Sequence, residues 1–166
     1  MRSWFNSEDW FSVWLGATIV LIALPTAMGV DLLGWVAAPK VWLNPSDAVH
    51  AVSPGYAALS GLLSLLFTYL FILLLVGGFA ALRGMNLREF VPGFTVIFWL
   101  SALSLILGHY AYIAQTPDKR AGMGIGWSLG LTGEAGFLVA LILGLVVGNL
   151  LPGLAARLKP AARNQR

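Results

Sequence analysis

The chain has 166 residues, 58% of them hydrophobic and 10% charged, with a net charge of +3 and no cysteine. A soluble domain carries about 25% charged residues, so a mean hydropathy of +0.82 excludes an ordinary water-soluble globule, and the missing cysteines exclude disulfides and thiolate chemistry. No basic stripe is interleaved with exposed aromatics, which argues against nucleic acid as a partner; the modest positive charge suits anionic lipid head groups.

The N-terminus, "MRSWFNSEDWFSVWLG", has one arginine followed by Glu8 and Asp9, where a secretory signal would be positive. No small-residue cleavage site follows, so the first apolar run is expected to stay as an anchor. A helix needs roughly 20 apolar residues to cross the hydrocarbon core. Four stretches qualify, at about 10–29 with Pro25 near its far end, 56–82, 91–115 and 131–151. Backbone polar groups in lipid must be satisfied within each segment. The expected fold class is therefore all-α: one membrane domain over 1–166, an integral membrane helical bundle of four transmembrane helices. Between the first two lies "DLLGWVAAPKVWLNPSDAVHAVSP", which Pro39, Pro45 and Pro54 break too often for another crossing. Its Trp35 and Trp42 suit an interfacial segment at head-group level.

Basic residues set the expected orientation. Arg2, Arg83, Arg88, Arg157, Lys159, Arg163 and Arg166 share one side of a four-span chain, against Lys40, Lys119 and Arg120 on the other. The excess places both termini in the cytoplasm. The C-terminal tail supplies much of that excess, so the expectation leans on it.

Three stripes of small residues could bring helices together where lipid offers no hydrophobic drive. They are Ser60, Ser64 and Thr68 in the second span, Ser101, Ser104 and Gly108 in the third, and the GxxxG pair Gly144 and Gly148 in the fourth, preceded by Gly133 and Gly136. Helix packing is the plainer reading of each stripe; lining a substrate path is the other. "GMGIGWSLG", residues 122–130, lacks the Lys-Ser/Thr of a P-loop and the spacing of GxGxxG. It reads as a flexible connector into the fourth span.

Few polar residues remain for chemistry. Glu134 is the acid expected about one turn into the fourth span, and ionisable groups at membrane depth are functional candidates by default. Asn149 lies at the opposite end of that helix, about 22 Å away at 1.5 Å per residue. The two cannot share one small site unless the helix breaks. Asn149 could bond a neighbouring helix, cap backbone before Pro152, or contact an anion. His109, beside Tyr110 and Tyr112, is the candidate proton-linked group, although a lone histidine in an aromatic belt is the commoner situation. His50 has no evident partner. Two histidines in separate segments with few acids nearby argue against a metal, and no nucleophile–base pair points to an enzyme. No cofactor is expected.

Two motifs carry a family resemblance. "SEDWFSVWLG", residues 7–16, and "LILGLVVGNLLPGLAARLKPAAR", residues 141–163, resemble the sulfate exporter (YeiH-like) family of bacterial inner-membrane proteins. The first matches the acidic-Trp entry to that family's first helix. The second matches its Gly-rich helix ending in Gly-Asn and a later Leu-Lys-Pro segment, here Gly144, Gly148, Asn149, Leu158, Lys159 and Pro160. "GVDLLGWVAAPKVWL" has a similar, less distinctive character. The turn after Asn149 departs from the family's commoner form in having no Trp before Lys-Pro.

The resemblance implies a bacterial inner (plasma) membrane location, a small inorganic anion as cargo, and a chain matching only the N-terminal portion of a longer transporter. Secondary transporters often build a midplane site from paired repeats and broken helices, whereas this sequence has no visible repeat and one Pro-broken span. The expectation is a truncated or partial secondary transporter, with Asn149, Glu134, Ser101 and Ser104 as substrate-path candidates. The alternative is a non-transporting accessory or assembly subunit. Beyond the lipid bilayer, the candidate partners are a second copy of the chain or a further membrane domain or subunit.

Overall fold

The computed structural model describes residues 8–150 together with Gly153. Arg2, Leu151 at the end of the fourth expected span, Pro152, and the tail residues Arg157, Leu158, Lys159, Pro160, Arg163 and Arg166 lie outside the described residues. The chain divides into two compact units. The first comprises residues up to Ala37 and Ala51–Val91, the second Ala38–His50 and residues from Pro92 onward.

Three helices among the described residues are long and apolar enough to cross a membrane: Gly61–Leu82, Leu87–Gly108 and Thr132–Leu150. Their large apolar side chains face outward, among them Leu62, Leu74, Leu82, Phe137 and Leu141. Such extensive exposed apolar surface needs a cover other than water.

In the first unit, α1 (Glu8–Ala23) tightens into a 3-10 turn at Leu24–Met28. Pro25 causes the change, because it has no N–H for the next α-helical bond and its ring crowds the preceding turn. Gly29, at φ 83°, then ends the run. The apolar part is Ser12–Met28, shorter than the run expected from the sequence.

The second span begins later than expected. α2 (Gly61–Leu82) starts where the Ser60 hydroxyl accepts the Leu63 N–H at 3.3 Å, an N-cap, and residues 54–56 form a separate 3-10 turn. At its far end Gly84 adopts φ +74°, and Gly84 and Met85 donate to the carbonyls of Ala81 and Ala80. These bonds satisfy the last carbonyls of α2. Asn86 then opens α3 (Leu87–Gly108), accepting the Arg88 N–H and donating to Glu89. The α2–α3 turn thus has chemistry at every position.

The proline-broken segment is a hairpin. Strands β1 (Ala37–Pro39) and β2 (Val49–Ala51) pair as a two-stranded sheet, with a 3-10 turn at Pro45–Asp47. In the first unit, Val52 and Ser53 donate to the carbonyls of Val36 and Gly34, both at 2.9 Å. Thr68 ties this hairpin to α2: its hydroxyl accepts the Ala37 N–H at 2.8 Å and donates to the Ser64 carbonyl at 2.7 Å. Thr68→Val leaves the Ala37 N–H unsatisfied and should destabilise the fold by about 1–3 kcal/mol. Reversible unfolding in mixed micelles measures the change, and faster amide exchange at Ala37 localises it.

In the second unit the third helix ends at Gly108, short of the residue-115 end expected from the sequence. The short helix α4 (Ala111–Ala114) follows after Tyr110, whose backbone is extended. Tertiary structure takes the backbone groups that would have continued α3. Trp42 pairs with Tyr110 as a parallel bridge: Trp42 N–H donates to the His109 carbonyl at 3.2 Å and Ala111 N–H to the Trp42 carbonyl at 2.9 Å. The Trp42 indole N–H also takes the Ile106 carbonyl at 2.7 Å.

The connector to the last helix is pinned rather than loose. Leu129 and Leu131 donate to the carbonyls of Tyr112 and Ile113, and Ser128 donates to the Gln115 carbonyl at 2.6 Å. A 3-10 turn, Thr132–Glu134, leads into α5 (Ala135–Leu150).

Candidate functional site

The sequence-derived candidates fall in several places rather than in one pocket. Ser60 is the N-cap of α2. Ser64, one turn along, is fully buried and its hydroxyl has no hydrogen-bond partner among the described residues. Of this stripe, Thr68 bonds the hairpin through the Ala37 N–H, while Ser60 is exposed.

In the second unit Ser104 and Gly108 lie one turn apart on the buried face of α3, while Ser101 is exposed. The Ser104 hydroxyl donates to the Leu100 carbonyl at 2.7 Å, so its proton is committed to its own helix. Gly108 is where two backbones meet. A Cβ there would stand 2.3 Å from the amide nitrogen of Gly136, and one at Gly136 would stand 3.1 Å from Leu105 Cδ2. Absence of side chains at both positions lets the end of α3 touch the start of α5.

His109 sits at this junction. Its Nδ1 lies 2.7 Å from the Leu105 carbonyl; a carbonyl only accepts, so Nδ1 carries the proton. In the neutral ring Nε2 is then the free acceptor, 3.8 Å from the place a Cβ would occupy at Gly133. Glu134 is exposed in the 3-10 turn ahead of α5 rather than a turn inside a helix. The junction therefore gathers Ser104, Gly108, His109 and Gly136 and leaves Glu134 on the exposed approach.

Asn149 is exposed near the other end of α5, where its side-chain N–H donates to the Leu145 carbonyl at 2.8 Å. That bond uses one donor, and the amide oxygen has no partner among the described residues. Gly144 and Gly148 are exposed, with open space where a Cβ would stand. They close-pack against nothing among the described residues. Nor does any group of three or more His, Asp and Glu side chains lie together there as a metal would require.

Two features were missed by reasoning on the sequence. Trp42 acts as a backbone bridge and indole donor, when its only sequence signal was that of an interfacial aromatic. A ladder of rings continues from it, with Trp42–Tyr110, Tyr110–Tyr112 and Tyr112–Trp127 centroids 5.0, 5.5 and 5.2 Å apart. In the connector the Thr116 hydroxyl beside Asp118, and Asp118's own backbone N–H, hold that exposed carboxyl below its usual range; Lys119 adds to the effect.

Comparison with known proteins gives one informative likeness. The chain is 31% identical over 160 residues to the UPF0324 membrane protein NE0724 of Nitrosomonas europaea, a match covering 95% of this chain and 33% of the relative. The chain thus spans about a third of the length of the curated relative it matches. No family model matches it, and no solved structure does. The likeness to a membrane protein and the three long apolar helices together support a membrane location for this chain.

Proposed function

We propose that the chain is part of a bacterial inner-membrane anion exporter of the YeiH-like kind, a secondary transporter rather than an enzyme. The carrying observation is the likeness to the UPF0324 membrane protein, which runs along 95% of the chain and agrees with the YeiH-like motifs around Gly144, Gly148 and Asn149. The junction of α3 and α5 adds support, since helix ends and irregular backbone at such a junction are what membrane transporters use to contact ions. In this reading Asn149, Glu134, Ser101 and Ser104 belong to the substrate path, sulfate is the first anion to test, and His109 Nε2 takes up a coupled proton.

The reading also has the first apolar helix cross the bilayer. From Ser12, its α-helical part at 1.5 Å per residue and the 3-10 turn at about 2.0 Å together reach about 28 Å, close to the hydrocarbon thickness of about 30 Å. Four crossings put both termini on one side, the cytoplasm by the basic-residue excess.

Vesicles reconstituted with the full-length transporter proposed to contain this chain, and loaded with radiolabelled sulfate, should lose it faster than protein-free vesicles. Asn149→Leu should cut that flux about tenfold or more, the effect of removing a hydrogen-bonding group from a polar path, with insertion unchanged. Flux at the protein-free level, or an unaltered rate in a correctly inserted Asn149→Leu variant, counts against the reading.

A second reading, a non-transporting assembly subunit, is favoured by the open space at Gly144 and Gly148. Co-purification with a stoichiometric membrane partner in mild detergent, with no flux by the isolated chain, selects it.

A further inference from the structure

We propose that the break between α3 and α4 is a switch with Trp42 as its latch: when Trp42 lets go, residues 109–114 join α3 in one continuous helix. Nothing local stops α3 at Gly108. The stretch "HYAYIA", residues 109–114, contains neither proline nor glycine, and α4 already coils four of its residues. The first residue beyond it that opposes a helix is Pro117, which disfavours helical backbone at Thr116.

The bonds at the break exchange almost one for one with those of a helix. A continuous helix brings the N–H groups of Tyr110, Ala111, Tyr112 and Ile113 to the carbonyls of Ile106, Leu107, Gly108 and His109. Trp42 takes one member of three of these four pairs. Its indole N–H holds the Ile106 carbonyl at 2.7 Å, its backbone N–H holds the His109 carbonyl at 3.2 Å, and its own carbonyl holds the Ala111 N–H at 2.9 Å. The displaced groups make tighter turns, with Tyr110 N–H on the Leu107 carbonyl at 3.0 Å and Ile113 N–H on the Tyr110 carbonyl at 2.8 Å. The Tyr112 N–H, in the first turn of α4, has no acceptor among the described residues.

Side-chain contacts decide which form is seen. The Trp42 and Tyr110 rings lie 5.0 Å apart, and Ala111 and Ala114 are buried. Those contacts hold the broken form, whereas joining satisfies the Tyr112 N–H. Because the hydrogen bonds nearly cancel, removing the contacts of one residue shifts the balance between the two forms. Adding six residues at 1.5 Å each lengthens α3 by about 9 Å and carries Tyr110 off Trp42. A residue distant in sequence thus sets the length of α3 beside the contact of Gly108 with Gly136. The switch is a property of the fold and needs no transported anion.

NMR of the whole chain in bicelles tests the switch at two positions. In the wild type Tyr110 should give an extended 13Cα shift and Tyr112 an unprotected amide. In Trp42→Ala the Tyr110 shift should move to the helical range. Exchange at Tyr112 should slow about tenfold, as it does when about nine chains in ten carry the joined helix. Ala111 leaves a buried bridge for the last turns of a helix, so its protection drops as that of Tyr112 rises. Trp42→Phe removes only the indole donor and should move both readouts the same way by less; it serves if Trp42→Ala does not fold. Trp42→Cys combined with Tyr110→Cys runs the switch both ways. Oxidised, the disulfide holds position 110 extended; reduced, the latch is gone and Tyr112 gains protection. An extended position 110 with fast exchange at Tyr112 in Trp42→Ala or in the reduced pair, or uniformly faster exchange over 109–114, would overturn the proposal.

Discussion

Gly108→Val should separate the ends of α3 and α5 and cost the second unit about 3 kcal/mol, the upper part of the range for overpacking. A Cβ at Gly108 would overlap the backbone of Gly136, and backbone cannot swing aside as the tip of a flexible side chain can. The helices must move apart, breaking contacts on both sides. Gly144→Ala and Gly148→Ala form the matched control, because nothing lies within 4 Å of the added methyl at either position. Each should stabilise the isolated chain by about 0.5–1 kcal/mol, the gain of Gly→Ala in an unobstructed helix. Reversible unfolding in bicelles compares all three, and a Gly108→Val variant as stable as the wild type would remove the junction from the account.

Trp42→Ala should cost a similar amount, about 3–5 kcal/mol, the usual range for deleting a large aromatic side chain. Three kinds of contact depend on this residue: the indole bond to the Ile106 carbonyl, the ring contact with Tyr110, and the backbone bridge that halts α3. The bridge uses only main chain and could in principle survive, so amide exchange separates the contributions. Protection at Ala111, which donates to the Trp42 carbonyl, should fall if the side chain holds the bridge in register. Trp42→Phe keeps a ring against Tyr110 but removes the indole donor, leaving the Ile106 carbonyl to the His109 N–H alone, and should cost about 1 kcal/mol, the net worth of one hydrogen bond.

The long apolar runs were legible because lipid imposes a simple rule: about 20 apolar residues with their backbone bonded internally. That rule found the cores of α2, α3 and α5. It could not find their ends. α3 stops at Gly108 because Trp42, far away in sequence, takes the carbonyls of His109 and Ile106. The three prolines marked 31–54 as unable to form a spanning helix, and it folds as a hairpin, yet strand pairing inside it depends on partners that no local pattern names.

The same limit governs the site. Gly108 and Gly136 touch, while Gly144 and Gly148 are open, although the second pair has the more recognisable spacing. A small residue permits close approach without specifying a neighbour. Asn149 likewise reads as a group free to bond another helix, but in the structure its N–H turns to the Leu145 carbonyl one turn back. Glu134 shifted out of its helix because Thr132, at φ 53°, starts a 3-10 turn.

The central claim is that lipid surrounds these helices; the four-crossing topology proposed above then puts residue 46 and the 109–131 connector outside the cell and the α2–α3 turn inside. The native chain has no cysteine, so single-cysteine variants report topology without background. Ser46→Cys, Lys119→Cys and Arg88→Cys all alter exposed positions and can be treated with a membrane-impermeant maleimide on intact cells. The account predicts labelling at 46 and 119 from outside, and at 88 only after the membrane is opened. Labelling at 88 in intact cells together with protection at 46 and 119 would invert the orientation, and a chain washed from membranes by alkaline carbonate would contradict the account altogether.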